Sequence, residues 1–118
     1  MNAKEGNEII AKFMGLEYKN DSYFKRDYTN DYNMYQLCNF TGWWKDGYPT
    51  ELNYNVNWNH LMGVYDKLFK YHRIFIKLGN NTATIEHMGW IEIQIQAKDN
   101  LTALWEALVN FIKKNYKY

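Results

Sequence analysis

The sequence predicts an α+β fold in a single domain, with three helices packed against a mainly antiparallel sheet. Stretches near the start, middle and end of the 118-residue chain carry apolar residues at steps of three and four, the period of an amphipathic helix. Between the last two of these stretches, apolar and polar residues alternate as they do in a strand. We expect helices at 3–14, 58–71 and 100–115, and a sheet built from 73–96 and part of 16–50.

The first helix is predicted from its two ends and a short apolar stripe. Asn2 followed by Glu5 resembles a capping box, in which the Asn2 side chain accepts a free N–H of the first turn. Gly15 suits the left-handed residue that closes many helices. The stripe consists of Ile9, Ile10, Phe13 and Met14.

An aromatic segment follows, which we treat as an insertion at about 19–53 within one domain, 1–118. So long a segment without structure is unusual in a compact domain, so we expect internal hairpins. Tyr35–Phe40 is the best candidate for a strand, and Asp46-Gly47 predicts a turn.

The central helix begins after Asn57, a suitable N-cap, and we expect it to be the structural centre of the fold. Its predicted buried stripe consists of Trp58, Leu61, Met62, Tyr65, Leu68, Phe69 and His72.

Three short strands are predicted after this helix, at Arg73–Leu78, Thr82–His87 and Trp90–Gln96, with turns at residues 79–81 and 88–89. The last strand alternates most clearly. Its apolar face consists of Ile91, Ile93 and Ile95, and its polar face of Trp90, Glu92, Gln94 and Gln96. This pattern favours an antiparallel meander with one face against the core.

The last helix is predicted to start at a cap provided by Asp99 or Asn100. The positive charges of the lysines near its C-terminus interact favourably with the negative end of the helix dipole. Its buried stripe consists of Leu101, Leu104, Trp105, Leu108, Phe111 and Ile112.

Composition narrows the classes of function. A net charge of +1 gives the protein no extended positive electrostatic potential that would attract the phosphates of duplex nucleic acid. We therefore do not expect duplex nucleic acid as a partner. No apolar run is long enough to span a membrane. The single cysteine, Cys38, has no internal disulfide partner, so we expect a cytoplasmic protein that does not bind membranes.

No motif indicates catalysis, a metal or a cofactor. His60, His72 and His87 lack a recognised ligand spacing, and we interpret them as ordinary surface or half-buried histidines. Cys38 with a histidine base is conceivable as a nucleophile, but a lone cysteine in a strand is usually a small buried hydrophobe. We expect no enzyme, no metal site and no cofactor.

The aromatic segment supports two interpretations of equal weight. Its rings either form a second small core or present a recognition surface, since Tyr and Trp offer rigid contact area with a polar tip. Aromatic rings beside basic residues would also suit a nucleobase and its phosphate. The candidate contact residues are Tyr23, Arg26, Tyr28, Tyr32, Trp43, Trp44, Tyr48 and Trp90.

Several of these patterns together resemble a known family. The matching pieces are Ile9–Gly15, Trp58–Met62 and Ala107–Lys113. They resemble the phage αβα-sandwich domain family, small proteins from phages and mobile elements of Bacteroidetes-type bacteria. The resemblance covers roughly 2–18 and 54–118 and leaves out the aromatic segment. It implies an αβα-sandwich-like fold, and it carries over no activity and no functional residue.

Together these observations favour a small, non-enzymatic, phage-type binding protein of an infected or lysogenic bacterial host, which contacts a host or phage protein through its aromatic residues. The alternative is a counter-defence protein that sequesters a small nucleotide signal. A homo-oligomer formed through a self-complementary sheet edge is a further expectation. The sequence does not place that edge.

Overall fold

The computed structural model describes residues 2–26 and 34–116, and the α+β class is confirmed. The described elements are α1 (Ala3–Phe13), β1 (Glu17–Arg26), β2 (Tyr35–Lys45), β3 (Tyr48–Pro49), α2 (Trp58–His72), β4 (Phe75–Gly79), β5 (Thr82–His87), β6 (Trp90–Gln96) and α3 (Asn100–Asn115). The strands form two separate antiparallel sheets, ordered β1-β2-β3 and β4-β5-β6, instead of the one sheet expected. No described helix has both the length and the apolar character needed to cross a bilayer.

The chain divides into two compact units. One contains residues 2–14 and 52–116, with all three described helices and the β4-β5-β6 sheet. The other is Gly15–Glu51, with the β1-β2-β3 sheet, and it overlaps most of the predicted insertion. The single-domain boundary of 1–118 stays a prediction.

Side-chain caps begin the three described helices, as the sequence predicts. Asn2, Asn57 and Asp99 each accept a hydrogen bond from the backbone N–H three residues later, at 2.7, 3.0 and 2.7 Å. Each bond satisfies a first-turn donor that the helix itself leaves free. Gly15 follows α1 with φ of +83°, the left-handed conformation expected there.

The core of the first unit is organised around α3, and the expectation that α2 is the centre is wrong. In α2 the buried residues are Leu61, Val64 and Leu68. In α3 they are Ala103, Leu104, Trp105, Ala107, Leu108, Val109, Phe111 and Ile112. This difference arises because α3 contacts α1, α2 and the β4-β5-β6 sheet, so neighbours cover most of its circumference. Much of the apolar stripe predicted for α2, including Trp58, Met62 and Phe69, is exposed.

The packing of α1 against α3 depends on a glycine and an asparagine. A Cβ atom on Gly6 would lie 2.3 Å from the Trp105 ring, so only glycine leaves room for it. Asn7 is buried and accepts a hydrogen bond from the Trp105 indole N–H at 2.9 Å. The Asn7 amide donates to the Asn55 side chain at 2.8 Å and to the Leu52 carbonyl at 3.4 Å. One side chain therefore links α1, α3 and the segment that leads into α2.

The β4-β5-β6 meander is present as predicted, but a bulge changes which side chains face the core. Ile85 pairs with Ile93 but Glu86 pairs with Ile91, so Glu92 is an extra residue in β6. The bulge reverses the alternation, leaving Ile91 exposed and the Glu92 side chain only 14% exposed. The predicted common face of Ile91, Ile93 and Ile95 is therefore wrong at Ile91, because a period-two pattern cannot anticipate an extra residue.

The first strand of this meander also starts later than predicted. Arg73 lies in the left-handed region, with φ of +50°, and caps α2, so that β4 begins only at Phe75. Two-residue turns with positive φ at both positions join β4 to β5 and β5 to β6, at Asn80-Asn81 and Met88-Gly89. This is the turn geometry that fits the twist of antiparallel hairpins.

A pair of glycine substitutions tests the packing of α1 on α3. Gly6→Ala should lower the free energy of unfolding by about 1–3 kcal/mol, because the buried, hydrogen-bonded Trp105 ring cannot move aside. Gly63→Ala in α2 is the matched control, since a Cβ there meets nothing within 4 Å. It should raise the free energy of unfolding by about 0.4–1 kcal/mol through helix propensity. Urea unfolding measures both; equal effects would contradict the packing argument.

Candidate functional site

The β1–β2 hairpin brings most of the described aromatic segment together. Its register runs without a shift from Glu17 opposite Trp44 to Arg26 opposite Tyr35. Because side chains alternate between the faces of a strand, this register assigns every residue to one of two faces. An Asp46-Gly47 turn, with φ of +51° and +82°, then leads into β3, where Tyr48 pairs with Lys45. The Asp-Gly turn predicted from the sequence is thus confirmed.

One face of the hairpin, here called the open face, carries apolar side chains that remain exposed. Four of them, from both strands, are each 62–66% exposed: Tyr18, Phe24, Tyr35 and Leu37. The pairing sets Phe24 opposite Leu37, and Tyr18 opposite Trp43 with ring centroids 5.6 Å apart. In β3, Tyr48 lies on the same face and is 65% exposed. The remaining open-face residues are Asn20, Ser22, Arg26, Asn39, Thr41 and Lys45.

The other face, here called the closed face, is centred on Trp44. This side chain is only 4% exposed, and its ring makes edge contacts with Tyr23 and Phe40 at 5.8 and 6.1 Å. The indole N–H donates to the Lys19 carbonyl at 3.1 Å, and the Lys19 ammonium lies 5.4 Å from the ring. A buried indole with a satisfied N–H and three packed neighbours is a structural element.

Charges on the closed face are arranged along β1. The Lys19 ammonium lies 3.5 Å from both the Glu17 and the Asp21 carboxylates. The pKa of Asp21 lies below its usual value, mainly because its carboxylate accepts the Ser22 N–H and also because Lys19 is near. Asp21 is therefore anionic at neutral pH.

The predicted contact residues fall in different places. Arg26, Trp43 and Tyr48 lie on the open face, whereas Tyr23 and Trp44 lie on the closed face. Trp90 is 76% exposed in β6, in the other unit. Tyr28 and Tyr32 lie outside the described residues.

Sequence reasoning missed the four exposed residues of the open face named above. A signal was present, because Tyr35, Leu37 and Trp43 stand at odd positions of a single strand and therefore share a face. The prediction treated the aromatic residues as one set and did not assign those at odd and even positions of a strand to opposite faces.

A polar cluster in the other unit links the end of α3 to the meander. Glu92, turned inward by the bulge, accepts one hydrogen bond from the Asn115 amide at 3.3 Å and lies 3.4 Å from the Lys114 ammonium. Its second oxygen lies 3.2 Å from His87 Nδ1. The His72 ring contacts the His87 ring at 6.2 Å, and its Nε2 is hydrogen-bonded to the Tyr116 hydroxyl. Sequence spacing gave no indication of this cluster, since the bulge and the fold create it.

The pKa of Glu92 reflects this environment. Burial raises it and is the largest single influence, but the hydrogen bonds from Asn115 and Lys114 and the charges of Lys114 and His87 together outweigh burial. The net effect is a pKa below the ordinary value of 4.5. The described residues contain no group of three His, Cys, Asp or Glu side chains placed to hold a metal ion.

Each unit has a cavity lined by described residues. A cavity of about 380 Å³ in the second unit is lined by Phe40, Pro49, Thr50 and Glu51. A smaller one of about 150 Å³ in the first unit is lined by Met62, Tyr65, Ile76, Leu78 and Leu104. The larger cavity has the volume of a small-molecule site, but the carboxylate of its lining residue Glu51 would repel a phosphate.

Comparisons with protein-family models, with curated proteins and with solved structures find no match. The function must therefore be argued from the residues of this chain.

Two neighbouring tryptophans separate the structural face of the hairpin from the exposed one. Trp44→Ala should lower the free energy of unfolding by about 3–5 kcal/mol, because it empties the buried centre of the closed face. Trp43→Ala, the matched control, should cost less than about 1 kcal/mol, since it removes a half-buried ring with one aromatic neighbour. Denaturant unfolding followed by circular dichroism gives both values. Similar losses would mean that both faces are core.

The Glu92 cluster predicts a specific dependence of stability on pH. A carboxyl whose pKa is lowered by folding stabilises the native state above its ordinary pKa, and this contribution is lost as the pH falls through the folded-state value. Glu92→Gln should therefore be less stable than the wild type at neutral pH, and the difference should shrink below about pH 4.5. Urea titrations at several pH values test this, with the exposed Glu51→Gln as control. A difference that does not change with pH would contradict it.

Proposed function

We propose that this chain is a small, non-enzymatic, phage-type protein that binds a host or phage protein in the bacterial cytoplasm through the open face of its β1–β2 hairpin. One observation carries the proposal, namely four apolar side chains, each 62–66% exposed, on one face of a regular hairpin. Single exposed apolar side chains are common, whereas several on one face mark an interaction surface. Phe24, Leu37 and Tyr35 lie in neighbouring rows of the register, and Tyr18 lies beside Trp43 at the other end of the face. The assignment to a phage-type family depends on the sequence resemblance alone.

The open face has the composition of a protein-binding surface. Tyr and Trp are enriched among the residues that contribute most to binding, and Tyr18, Tyr35, Trp43 and Tyr48 supply them here. The polar residues between them provide hydrogen-bond donors and acceptors, and Arg26 adds a cation at the far end. Arginine is also favoured at protein interfaces.

The closed face supports this role by holding the hairpin rigid. Trp44 of β2 fixes β1 to β2 through its hydrogen bond to the Lys19 carbonyl and its contact with Tyr23, and it packs against Phe40 of its own strand. A surface that is already ordered loses less conformational entropy when it binds. The two interpretations of the aromatic segment therefore apply to different faces, a small core on one and a recognition surface on the other.

The geometry supports a protein partner better than a small nucleotide. The exposed rings lie on a two-stranded ribbon, and the cavity of about 380 Å³ in this unit is lined by Phe40 and by the acidic Glu51. A nucleotide site would need a concave pocket with a cation for the phosphate. Sequestration of a nucleotide signal is the alternative hypothesis.

Matched phenylalanine substitutions test the open face. Phe24 is 66% exposed on the open face, and Phe75 is 61% exposed on β4 in the other unit. The wild-type protein, Phe24→Ala and Phe75→Ala are each immobilised and exposed to lysate of infected host cells, and captured proteins are quantified by mass spectrometry. A protein bound through the open face should be retained by the wild type and Phe75→Ala. It should bind Phe24→Ala about tenfold or more weakly, the loss typical of a central contact.

Two outcomes would contradict the proposal. Equal capture by all three proteins would remove the open face from binding. A large increase in melting temperature with a cyclic nucleotide or an ADP-ribose derivative would favour nucleotide sequestration, since a ligand at a hundred times its dissociation constant stabilises the fold by roughly 2.7 kcal/mol. The nucleotide panel should leave the melting temperature unchanged if a protein is the partner.

A further inference from the structure

The outer edge of β1 is an open hydrogen-bonding edge of unusual regularity. β1 stands at the end of its sheet, and among the described residues its one strand partner is β2. Glu17–Arg26 contains no proline or glycine, and its register has no bulge. Only Lys19 and Tyr23 are half-buried, and the other eight residues of the strand are exposed. Natural edges are shortened, bulged, interrupted by proline or protected by charged side chains, because an open edge pairs with another strand. Of these devices β1 has only the charges, five in ten residues, so the pattern of its charges decides which strand can pair with it.

We propose that β1 pairs with β1 of a second copy of this chain, antiparallel about a two-fold axis at Asp21, to form a homodimer with a continuous sheet. A two-fold axis perpendicular to a sheet makes two identical strands antiparallel and keeps equivalent faces on the same side. The choice of a second copy, and of this register, depends on the charges and rings along β1.

Centring the axis on Asp21 makes the strand self-complementary. Glu17 then lies opposite Lys25 of the second copy, and Lys25 lies opposite the second copy's Glu17. On the open face, Tyr18 lies opposite Phe24 of the second copy, and the reverse pair repeats this contact. Opposite charges and aromatic pairs directly across a ladder are the favourable cross-strand contacts.

Neighbouring registers lack this combination. An axis at Ser22 would set Lys19 opposite the second copy's Lys25, so that two like-charged pairs would form. An axis at Asn20 or Tyr23 would also form two opposite-charge pairs, Lys19 with Asp21 or Asp21 with Lys25. Each would shorten the ladder from nine residues to seven and set Tyr18 or Phe24 opposite Ser22, so the aromatic pair would be lost. The axis at Asp21 brings the two Asp21 carboxylates together, but each has the ammonium of its own Lys19 at 3.5 Å.

The outer edge of β2, the other long edge of the hairpin, carries no charge pattern that would select one pairing register. Along β2 from Tyr35 to Trp43 there is no charged residue, so no register is distinguished by charge. The dimer through β1 would extend the open face, since Trp43, Tyr18 and then Phe24 and Leu37 of the second copy would follow one another across the joined sheets. The dimer does not depend on the proposed protein partner, and either proposal stands if the other fails.

Charge exchange at the ends of the ladder tests the dimer in the full-length chain. Sedimentation velocity at low salt, where ion pairs are least screened, should show a wild-type dimer. Glu17→Lys alone and Lys25→Glu alone should each raise the dissociation constant about tenfold to a hundredfold, because each turns two attractive pairs into repulsive ones. The double variant should restore the wild-type value. Lys45→Glu, on the same hairpin but in β2, is the charge-matched control and should leave it unchanged.

A disulfide test fixes the register. In a Cys38→Ser background, Asp21→Cys should form a covalent dimer on mild oxidation, because residues opposite each other across a ladder lie within disulfide range. Ser22→Cys in the same background should not, since Ser22 would lie opposite Asn20. Four outcomes would each overturn the proposal. In sedimentation, these are a wild type that is monomeric at sub-millimolar concentration, single variants that dimerise as well as the wild type, and a double variant that does not recover dimerisation. In cross-linking, it is equal disulfide formation at positions 21 and 22.

Discussion

The contact of the Trp105 ring with Gly6 and Asn7 is the constraint on which the arrangement of the first unit depends. The ring occupies the space where any other residue at position 6 would place its Cβ, and its indole N–H is satisfied by the Asn7 side chain. A buried polar group without a partner costs about 1–3 kcal/mol, so Asn7 must hold this position. Because Asn7 also bonds to Asn55 and the Leu52 carbonyl, the same contact fixes where the segment before α2 begins.

The second unit follows a different logic, because little of it is buried. Among the described residues between 15 and 51, Trp44 is the one large apolar side chain that is buried. A two-stranded hairpin is marginal in water without a packed face. The closed face supplies that packing through Trp44, Tyr23 and Phe40. The rings of the open face therefore do not serve as a core, and exposing them carries a risk of aggregation that a binding role would explain.

How much the sequence predicted depended on how local the relevant interaction is. The caps at Asn2, Asn57 and Asp99 and the Asp46-Gly47 turn involve residues within a few positions of one another, and all four were predictable. The deeper burial of α3 compared with α2 was not predictable, because both helices carry similar apolar stripes and they differ only in how many neighbouring elements cover them. The bulge at Glu92 was hidden for the same reason, since it depends on pairing between β5 and β6.

The two sheets contrast in how they treat irregularity, and this contrast connects fold to function. In the β4-β5-β6 sheet, the bulge turns Glu92 toward Asn115 and Lys114, so the irregularity ties the meander to the end of α3. In the β1–β2 hairpin the register is unbroken, and the alternation of side chains is preserved along the whole strand. Unbroken alternation keeps Tyr18, Phe24, Tyr35 and Leu37 on one exposed face and leaves the edge of β1 without a bulge. The open face and the open edge are thus two consequences of one regular pairing, because a single bulge in β1 would have turned half of the face inward and interrupted the edge.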